Sequence, residues 1–345
     1  MKLAKKNLIL LLAAMLLPTT GSAVTTLRYI DHEPLMGMRT RFINDIFFPE
    51  IEKESKGRLK IEPHWNGEIA KSYDELTVAG NGTLADMAVI VPEYTPKALP
   101  LHQLFKSFPV GPRSYEQVAF FRRVYADVPA FSEELQKSNV VNVFSATGFP
   151  VAFFSTQPIK SLEEIKGKKW RTASFWHQDF LKNAGAVPVS MPWNDGIYNA
   201  LKAGTLDGVM VNVDSGYDFN LHKISPNVLI SENLWLGHLY LLVINKPTWD
   251  KLATEDKDAV KRAALTSYAK LGAFMDKSIH NQINALEKEG ATVRLLTKDD
   301  IEKWNTTTRY QEIQKSWIKE QESKGVENIS QTLENITAIM NETKM

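Results

Sequence analysis

Residues 158–220 read PIKSLEEIKGKKWRTASFWHQDFLKNAGAVPVSMPWNDGIYNALKAGTLDGVMVNVDSGYDFN. Ser161, with Glu164 three residues on, predicts a capping box that opens a short helix. Lys168-Lys169-Trp170-Arg171-Thr172 predicts a strand, and residues 177–184 predict a helix ended by Gly185. Val187-Pro188-Val189 predicts a second strand, residues 195–203 a helix ended by Gly204, and Gly208-Val209-Met210-Val211 a third strand. Strands that alternate with helices at this spacing predict an α/β fold with a largely parallel sheet.

The same rhythm runs upstream. Leu27-Arg28-Tyr29-Ile30, Leu59-Lys60-Ile61-Glu62 and Met87-Ala88-Val89-Ile90-Val91 predict strands. Residues 39–56, 74–80, 115–125 and 131–138 predict helices, the first stopped by Gly57. Residues 140–145, 151–155 and 239–244 predict further strands. After Thr254 the chain reads as helical to its end. Val260, Ala264, Tyr268, Leu271, Met275, Ile279, Ile283 and Leu286 recur every three or four residues, one stripe along a long helix, expected to pack into a core. Trp304, Tyr310, Ile313 and Trp317 extend the pattern. No internal repeat is evident, and the rhythm that restarts at residue 158 predicts two similar α/β lobes.

Composition removes several function classes. At about 100–200 residues per domain, 345 residues predict two domains. The absence of cysteine removes disulfides, thiolate metal sites, cysteine nucleophiles and a lipoprotein anchor. Forty-one basic against 40 acidic residues leave no basic field for nucleic acid. Lys2, Lys5 and Lys6, then the apolar run 8–17, then Gly21-Ser22-Ala23 match the three parts of a cleavable secretory signal, with cleavage expected after Ala23. The apolar run is too short for the ~20 residues that span a bilayer. A secreted chain without cysteine fits a bacterial periplasm.

Catalytic signatures are missing from the sequence. It contains no HExxH, GxSxG, P-loop or GxGxxG, and its seven histidines are scattered without a close pair of ligand spacing. Arg171 stands out instead. It closes a strand, and the carboxyl ends of parallel strands are where α/β proteins bind ligands. Its planar fork suits a carboxylate. Phe175 and Trp176 follow it closely, with Thr172, Ala173 and Ser174 between.

The block resembles the signature of the extracytoplasmic solute receptors of tripartite ATP-independent periplasmic (TRAP) transporters, the DctP-like family. The likeness rests on Ile165-Lys166-Gly167-Lys168-Lys169-Trp170-Arg171, on Ala184-Gly185-Ala186-Val187-Pro188-Val189-Ser190-Met191-Pro192, and on Ala200-Leu201-Lys202-Ala203-Gly204-Thr205-Leu206-Asp207-Gly208. Weaker likenesses are Trp65-Asn66-Gly67-Glu68-Ile69 and Gly82-Thr83-Leu84-Ala85-Asp86-Met87. The resemblance implies a two-lobed periplasmic binding protein fold with crossing hinge strands and a long inter-lobe helix. It implies a signal peptide over residues 1–23 and a first lobe of residues 24–148 plus about 237–275. The second lobe would be about 149–236 plus 276–305, and residues 306–345 a helical extension. It also implies a receptor, not an enzyme, that captures an organic acid and delivers it to a membrane permease, with no cofactor or metal. A monomer that binds no nucleic acid is expected.

Carried over residue by residue, the family's carboxylate-pairing arginine falls on Arg171, its ligand-facing aromatic on Trp193 and a polar neighbour on Ser174. Two departures stand out. Many acid-sugar receptors of the family carry a second arginine upstream, where this chain has Phe149-Pro150-Val151-Ala152-Phe153. The family asparagine after Asp-Gly is displaced by one, to Asn212, which on a regular strand turns it to the other face. Asn212 is therefore expected at the ligand only with a bulge. Trp176 and Trp193 are expected in the pocket and Phe153 and Trp235 in the core. From the first lobe, His32, Trp65 and Tyr94 lie in loops after strands and are expected to close over the ligand. An apolar pocket with one arginine suits an aromatic or hydrophobic monocarboxylate. Two other readings fit the residues: a small aliphatic 2-oxo acid or C4-dicarboxylate, the latter wanting a second cation, and a secreted hydrolase or isomerase on a two-lobed scaffold. A receptor that signals to a membrane sensor would look the same.

Overall fold

The computed structural model describes residues 24–191 and 193–343. The leader expected over residues 1–23, with its cleavage after Ala23, falls outside the described residues. The strands are β1 (Thr25–Ile30), β2 (Leu59–His64), β3 (Met87–Ile90), β4 (Val140–Thr147), β5 (Val151–Ser155), β6 (Lys169–Arg171), β7 (Val187–Val189), β8 (Gly208–Asn212), β9 (Asn227–Ile230), β10 (Leu239–Asn245) and β11 (Thr292–Leu295). Among the described residues they form a five-stranded sheet, β2-β1-β3-β10-β4, and a six-stranded sheet, β11-β9-β5-β8-β6-β7. In the first, β1 runs parallel to β2 and β3, while β10 runs antiparallel to β3 and β4. In the second, β6 is parallel to β7 and β8, β11 is parallel to β9, and β5 runs antiparallel to β8 and β9. The chain passes from sheet to sheet between β4 and β5 and back between β9 and β10.

Each sheet is packed by aromatic residues. Behind the first, the Phe47 and Phe144 rings stack at 4.4 Å, and Phe144 stacks on Tyr268 of the long helix at 4.5 Å. Its other face buries Phe105, Phe120, Phe121, Phe131 and Trp235. The second sheet buries Phe153, Trp170, Trp176, Phe180 and Trp304. Phe153 and Trp235 thus lie in the core, as their apolar neighbours predict.

The helix Thr254–Lys288 has 35 residues, about 50 Å long at 1.5 Å per residue. The predicted stripe faces inward: Val260, Ala264, Leu271, Met275, Ile279 and Leu286 are buried. It packs on helices Phe48–Glu54 and Ser114–Asp127 beside the first sheet, and on β11 and helix Val213–Asp218 beside the second. The reading of one helical run to the chain end is corrected. Gly290, at φ 94°, stops the helix, and Thr292–Leu295 pairs in parallel with β9 as an edge strand. Short apolar runs of this kind carry no helix-or-strand signal of their own. Helices Lys298–Thr307, Tyr310–Ser323 and Ile329–Thr343 follow.

Three other expectations change. The capping box at Ser161 does not form, since the Ser161 hydroxyl is engaged with the Glu163 carboxylate instead, and Leu162–Ile165 is one tight 3-10 turn. The helix predicted over 39–56 carries a π-helical turn at Ile43–Phe47. Sequence reading also passed over β9, helix Val213–Asp218 and the 3-10 segment Leu101–Ser107, whose seven residues are all buried.

Gly208 shows why the Asp-Gly pair sits where it does. A Cβ there would press on the Trp170 ring and lie 2.6 Å from the Phe154 carbonyl oxygen, across two neighbouring strands. Gly208→Ala is expected to lower stability by about 1–3 kcal/mol, the scale of overpacking in a filled core. Urea unfolding checks this: a midpoint shift without a change in slope is expected.

Candidate functional site

A cavity of about 480 Å³ lies between the two sheets. Its walls come from strand ends and the loops after them. Arg171 ends β6, Asn212 ends β8, Thr147 and Gly148 close β4, His32 and Glu33 follow β1, and Glu93 and Tyr94 follow β3. The carboxyl ends of the parallel strands converge there, because the segments that follow them leave the sheet on that side.

Arg171 is held in the β6 register opposite Val189 and Val209, so its side chain cannot turn to the other face without breaking the pairing. It is only 3% exposed. Its Nε and Nη2 donate to the Met191 carbonyl at 3.1 and 2.8 Å, which orients the guanidinium. The guanidinium carbon lies 5.0 Å over the Trp193 ring. Trp193 is 41% exposed and leans on Phe219, at 4.7 Å between ring centroids. Burial pulls Arg171 down to about 10, still charged at neutral pH. No carboxylate among the described residues pairs with it.

Ser174 stands directly before the helix Phe175–Asn183, and its side chain does not cap that helix. Its Oγ is buried without a partner. The first-turn N–H groups of a helix favour an anion. Asn212 reaches the cavity with no bulge in the β5–β8 pairing, where it sits opposite Val151. The strand ends at this residue, and the one-residue displacement costs nothing once the chain turns into helix Val213–Asp218. The Asn212 amide donates to Asp214 Oδ1 and, at 2.8 Å, to Ser215 Oγ. Burial pushes Asp214 up to about 7, with Glu33 across the cavity acting in the same sense.

His32 and Tyr94 also line the cavity. His32 Nδ1 lies 2.8 Å from Glu75 Oε2, and burial raises Glu75 to about 7. Asp31, His32 and Glu75 converge as metal-ligand types do. The Asp31 carboxylate is already taken by Arg39, the Tyr29 hydroxyl and the Glu33 amide.

Two expected residues lie off the cavity. Trp176 is 1% exposed, its Nε1 donates to the Gln103 carbonyl at 3.0 Å, and its ring packs on Trp317 at 5.0 Å. It is a core residue, because the first turn of its helix points it toward the C-terminal helices. Trp65 packs on Tyr29 and Phe48 behind β1. Tyr217 donates to Glu289 at the surface.

The cavity is more polar than a single arginine in an apolar wall. Arg39, Lys106, His177 and His238 also line it. Arg39 is paired with Asp31 and Glu33 and lies 4.4 Å over the Tyr240 ring. The Lys106 ammonium contacts Glu93, and burial lowers it to about 7. His238 stacks on Tyr240 at 4.6 Å. Lys106 carried no sequence signal, being one residue of a buried 3-10 segment. His177 did carry one: it stands three residues after Ser174, on the same helix face. The Ser174 hydroxyl and His177 Nε2 are both without partners, so they do not bond each other and form no nucleophile–base pair.

Comparison with known proteins follows the same lines. A family profile described as "Bacterial extracellular solute-binding protein, family 7" (DctP) matches residues 45–320. A solute-binding protein of Albidiferax ferrireducens is 26% identical over 276 residues, 79% of each chain. A TRAP solute binding protein from Rhodoferax ferrireducens, in complex with copurified benzoate, superposes with a TM-score of 0.78 at 17% identity, over 93% of this chain and 99% of that one. An extracytoplasmic solute receptor of Bordetella pertussis binding pyroglutamic acid superposes with a TM-score of 0.74 at 19% identity, over 91% and 99%.

Burial holds the His177 imidazole down to about 3, with Lys106 acting in the same sense. A group depressed in the folded state contributes stability that is full above its ordinary value of 6.5. That contribution is lost as the pH falls from there toward 3. His177→Gln is therefore expected to flatten the acid limb. Unfolding free energy plotted against pH between about 6 and 4 should fall less steeply in the variant, by about one proton, or ~1.4 kcal/mol per pH unit. An unchanged slope would show that the imidazole is charged in the folded protein.

Proposed function

Since the chain belongs to family 7 of the bacterial extracellular solute-binding proteins, the receptors of TRAP transporters, we propose that its cavity captures an organic monocarboxylate with an aromatic or otherwise planar apolar body. The observation that carries this reading is Arg171: a buried, charged guanidinium, oriented by Met191, open to the cavity and without a carboxylate of its own. A buried charge left unpaired is costly, and a ligand carboxylate removes that cost. The Ser174 hydroxyl and the N-terminus of helix Phe175–Asn183 add donors beside it. Trp193, Tyr94, Phe219 and Met210 supply flat and apolar walls.

The other two cations of the cavity favour a monocarboxylate over a dicarboxylate. Arg39 already has Asp31 and Glu33, and Lys106 already has Glu93, so neither offers a free charge to a second carboxylate. A volume of about 480 Å³ suits a ring better than a two- or three-carbon acid. The relative from Rhodoferax ferrireducens holds benzoate and that from Bordetella pertussis pyroglutamic acid, both ring carboxylates.

In this reading Arg171, Trp193, Ser174 and Asn212 belong to one lobe, residues 149–236 plus 276–305, and His32 and Tyr94 to the other, residues 24–148 plus 237–275. Hinge closure buries the ligand between them, and the closed form is the one delivered to the membrane permease. The helices of residues 306–343 brace the back of the cleft. The working molecule is a secreted monomer freed of residues 1–23, and it needs no cofactor.

A thermal-shift panel tests this, with ring monocarboxylates set against dicarboxylates, acidic sugars and neutral amides. At least one ring monocarboxylate is expected to raise the melting temperature of the wild type. Arg171→Ala should weaken that ligand by 100-fold or more, on the order of 3 kcal/mol for one lost charged partner. Equal binding by Arg171→Ala would end the reading. Trp193→Ala is expected to weaken aromatic ligands by about tenfold and to change the tryptophan emission that reports binding.

A further inference from the structure

The charges that line the cavity do not all cancel within the protein. Arg39 is matched by Asp31 and Glu33, and Lys106 by Glu93. Arg171 is left over as a cation, and Asp214 and Asp218 are left over as anions. Neither aspartate has a basic partner among the described residues. They stand four residues apart in helix Val213–Asp218, so they share a face, and like charges at that spacing repel. The helix dipole favours Asp214 in the first turn but disfavours Asp218 at the last residue. Glu33, in the loop after β1, acts on both from the opposite wall. Burial pushes Asp214 up to about 7 and raises Asp218 as well, and the Glu33 charge adds to both shifts. This wall lacks a positive charge, as Arg171 lacks a negative one.

Asp214 is half-buried and has room for a donor. The Asn212 amide donates to its Oδ1, and the Ser215 N–H lies beside the same carboxylate. A carboxylate offers about four acceptor positions, so places remain. The two open signs stand apart. Arg171 is paired with Val209 across β6 and β8, and Asn212 lies three residues further, about 10 Å along the strand. Neither aspartate is among the charges that act on Arg171. We propose that Asp214, assisted by Asp218, is a specificity-determining residue of the cavity: the receptor selects ring carboxylates that also carry a basic nitrogen, with the carboxylate on Arg171 and the protonated nitrogen on Asp214. The proposal rests on Arg171 holding the carboxylate. Trp193 and Phe219 also line the cavity and give the ring that spaces the two charges a flat surface. A protonated nitrogen relieves the repulsion among Asp214, Asp218 and Glu33, which a plain aromatic acid would leave in place. Because Glu33 belongs to the opposite wall, the same nitrogen draws the two sides of the cleft together.

The test is a matrix of ligands and variants read by calorimetry at pH 7.5. One ligand set is 4-(aminomethyl)benzoate with 4-(hydroxymethyl)benzoate and 4-methylbenzoate. The other is piperidine-4-carboxylate with cyclohexanecarboxylate. Each compares a protonated nitrogen with a neutral group of similar size. The proteins are wild type, Asp214→Asn and Asp218→Asn. In at least one set the wild type is expected to prefer the nitrogen-bearing acid by about tenfold or more, the scale of one hydrogen bond between charged groups. Asp214→Asn should bring that ratio near one, and Asp218→Asn should lower it in part. A ratio unchanged in Asp214→Asn overturns the proposal. So does a wild type that binds carboxylates without favouring a charged nitrogen in either set, or that favours the hydroxymethyl acid equally. Binding of the nitrogen-bearing acid that survives Arg171→Ala unchanged would instead refute the carboxylate reading beneath it. A crystal structure of the wild-type complex with the preferred acid needs no variant. The ligand nitrogen is expected within hydrogen-bond distance of an Asp214 carboxylate oxygen, and a nitrogen held elsewhere in the cavity overturns the proposal.

Discussion

A guanidinium buried without a carboxylate is the constraint around which this structure is arranged. Arg171 is charged, nearly inaccessible and bonded only through its Nε and Nη2 to one backbone carbonyl. A buried charge without an opposite charge is costly, which makes this the most demanding group in the cavity. The strand pairing of β6 fixes the side of the sheet it emerges on, and the Met191 carbonyl fixes the plane of its fork. Pre-orientation matters here because a flexible arginine would spend binding energy on being ordered.

The opposite wall is organised by a different rule. Its charges are paired within the protein: Arg39 with Asp31 and Glu33, Lys106 with Glu93, His32 with Glu75. These pairs make the wall polar without making it a second anion site. The contrast between one open cation and several closed pairs gives the cavity a direction. In the proposed reading the ligand carboxylate lies toward β6 and its remaining groups toward acceptors and aromatic rings. The C-terminal helices hold the back of this arrangement. Gln314 donates to the Ser107 hydroxyl at 2.8 Å, beside Lys106, and Trp317 packs on Trp176 and Phe175, in the helix that bears His177. One helix, Tyr310–Ser323, therefore touches the support of both walls.

Much of this was legible from local pattern. The β-α-β-α-β order of residues 158–212, the inward stripe of the long helix and the position of Arg171 at a strand end all follow from periodicity and from glycine stops. The π-turn at Ile43–Phe47, the edge strand Thr292–Leu295 and the 3-10 segment Leu101–Ser107 were not legible. Each is a short piece whose conformation depends on what it packs against. Trp176 was misplaced for a related reason. Its neighbourhood to Arg171 in sequence is real, but one helical residue turns the side chain by about 100° and sends it to the core.

The sequence by itself determined the fold class and the place of Arg171 at a strand end, because backbone periodicity is local and repeats along the chain; the family came from the resemblance of its motifs and the profile that matches them. It also bounded the chemistry by what it lacks, cysteine above all. Only the tertiary structure decided which cations are neutralised and which tryptophan faces the cavity. Those depend on partners elsewhere in the chain, such as Asp31 for Arg39 and the Gln103 carbonyl for Trp176. A side chain's charge and its hydrogen-bonding role are set by the groups that surround it in space, and residue order along the chain does not contain those distances.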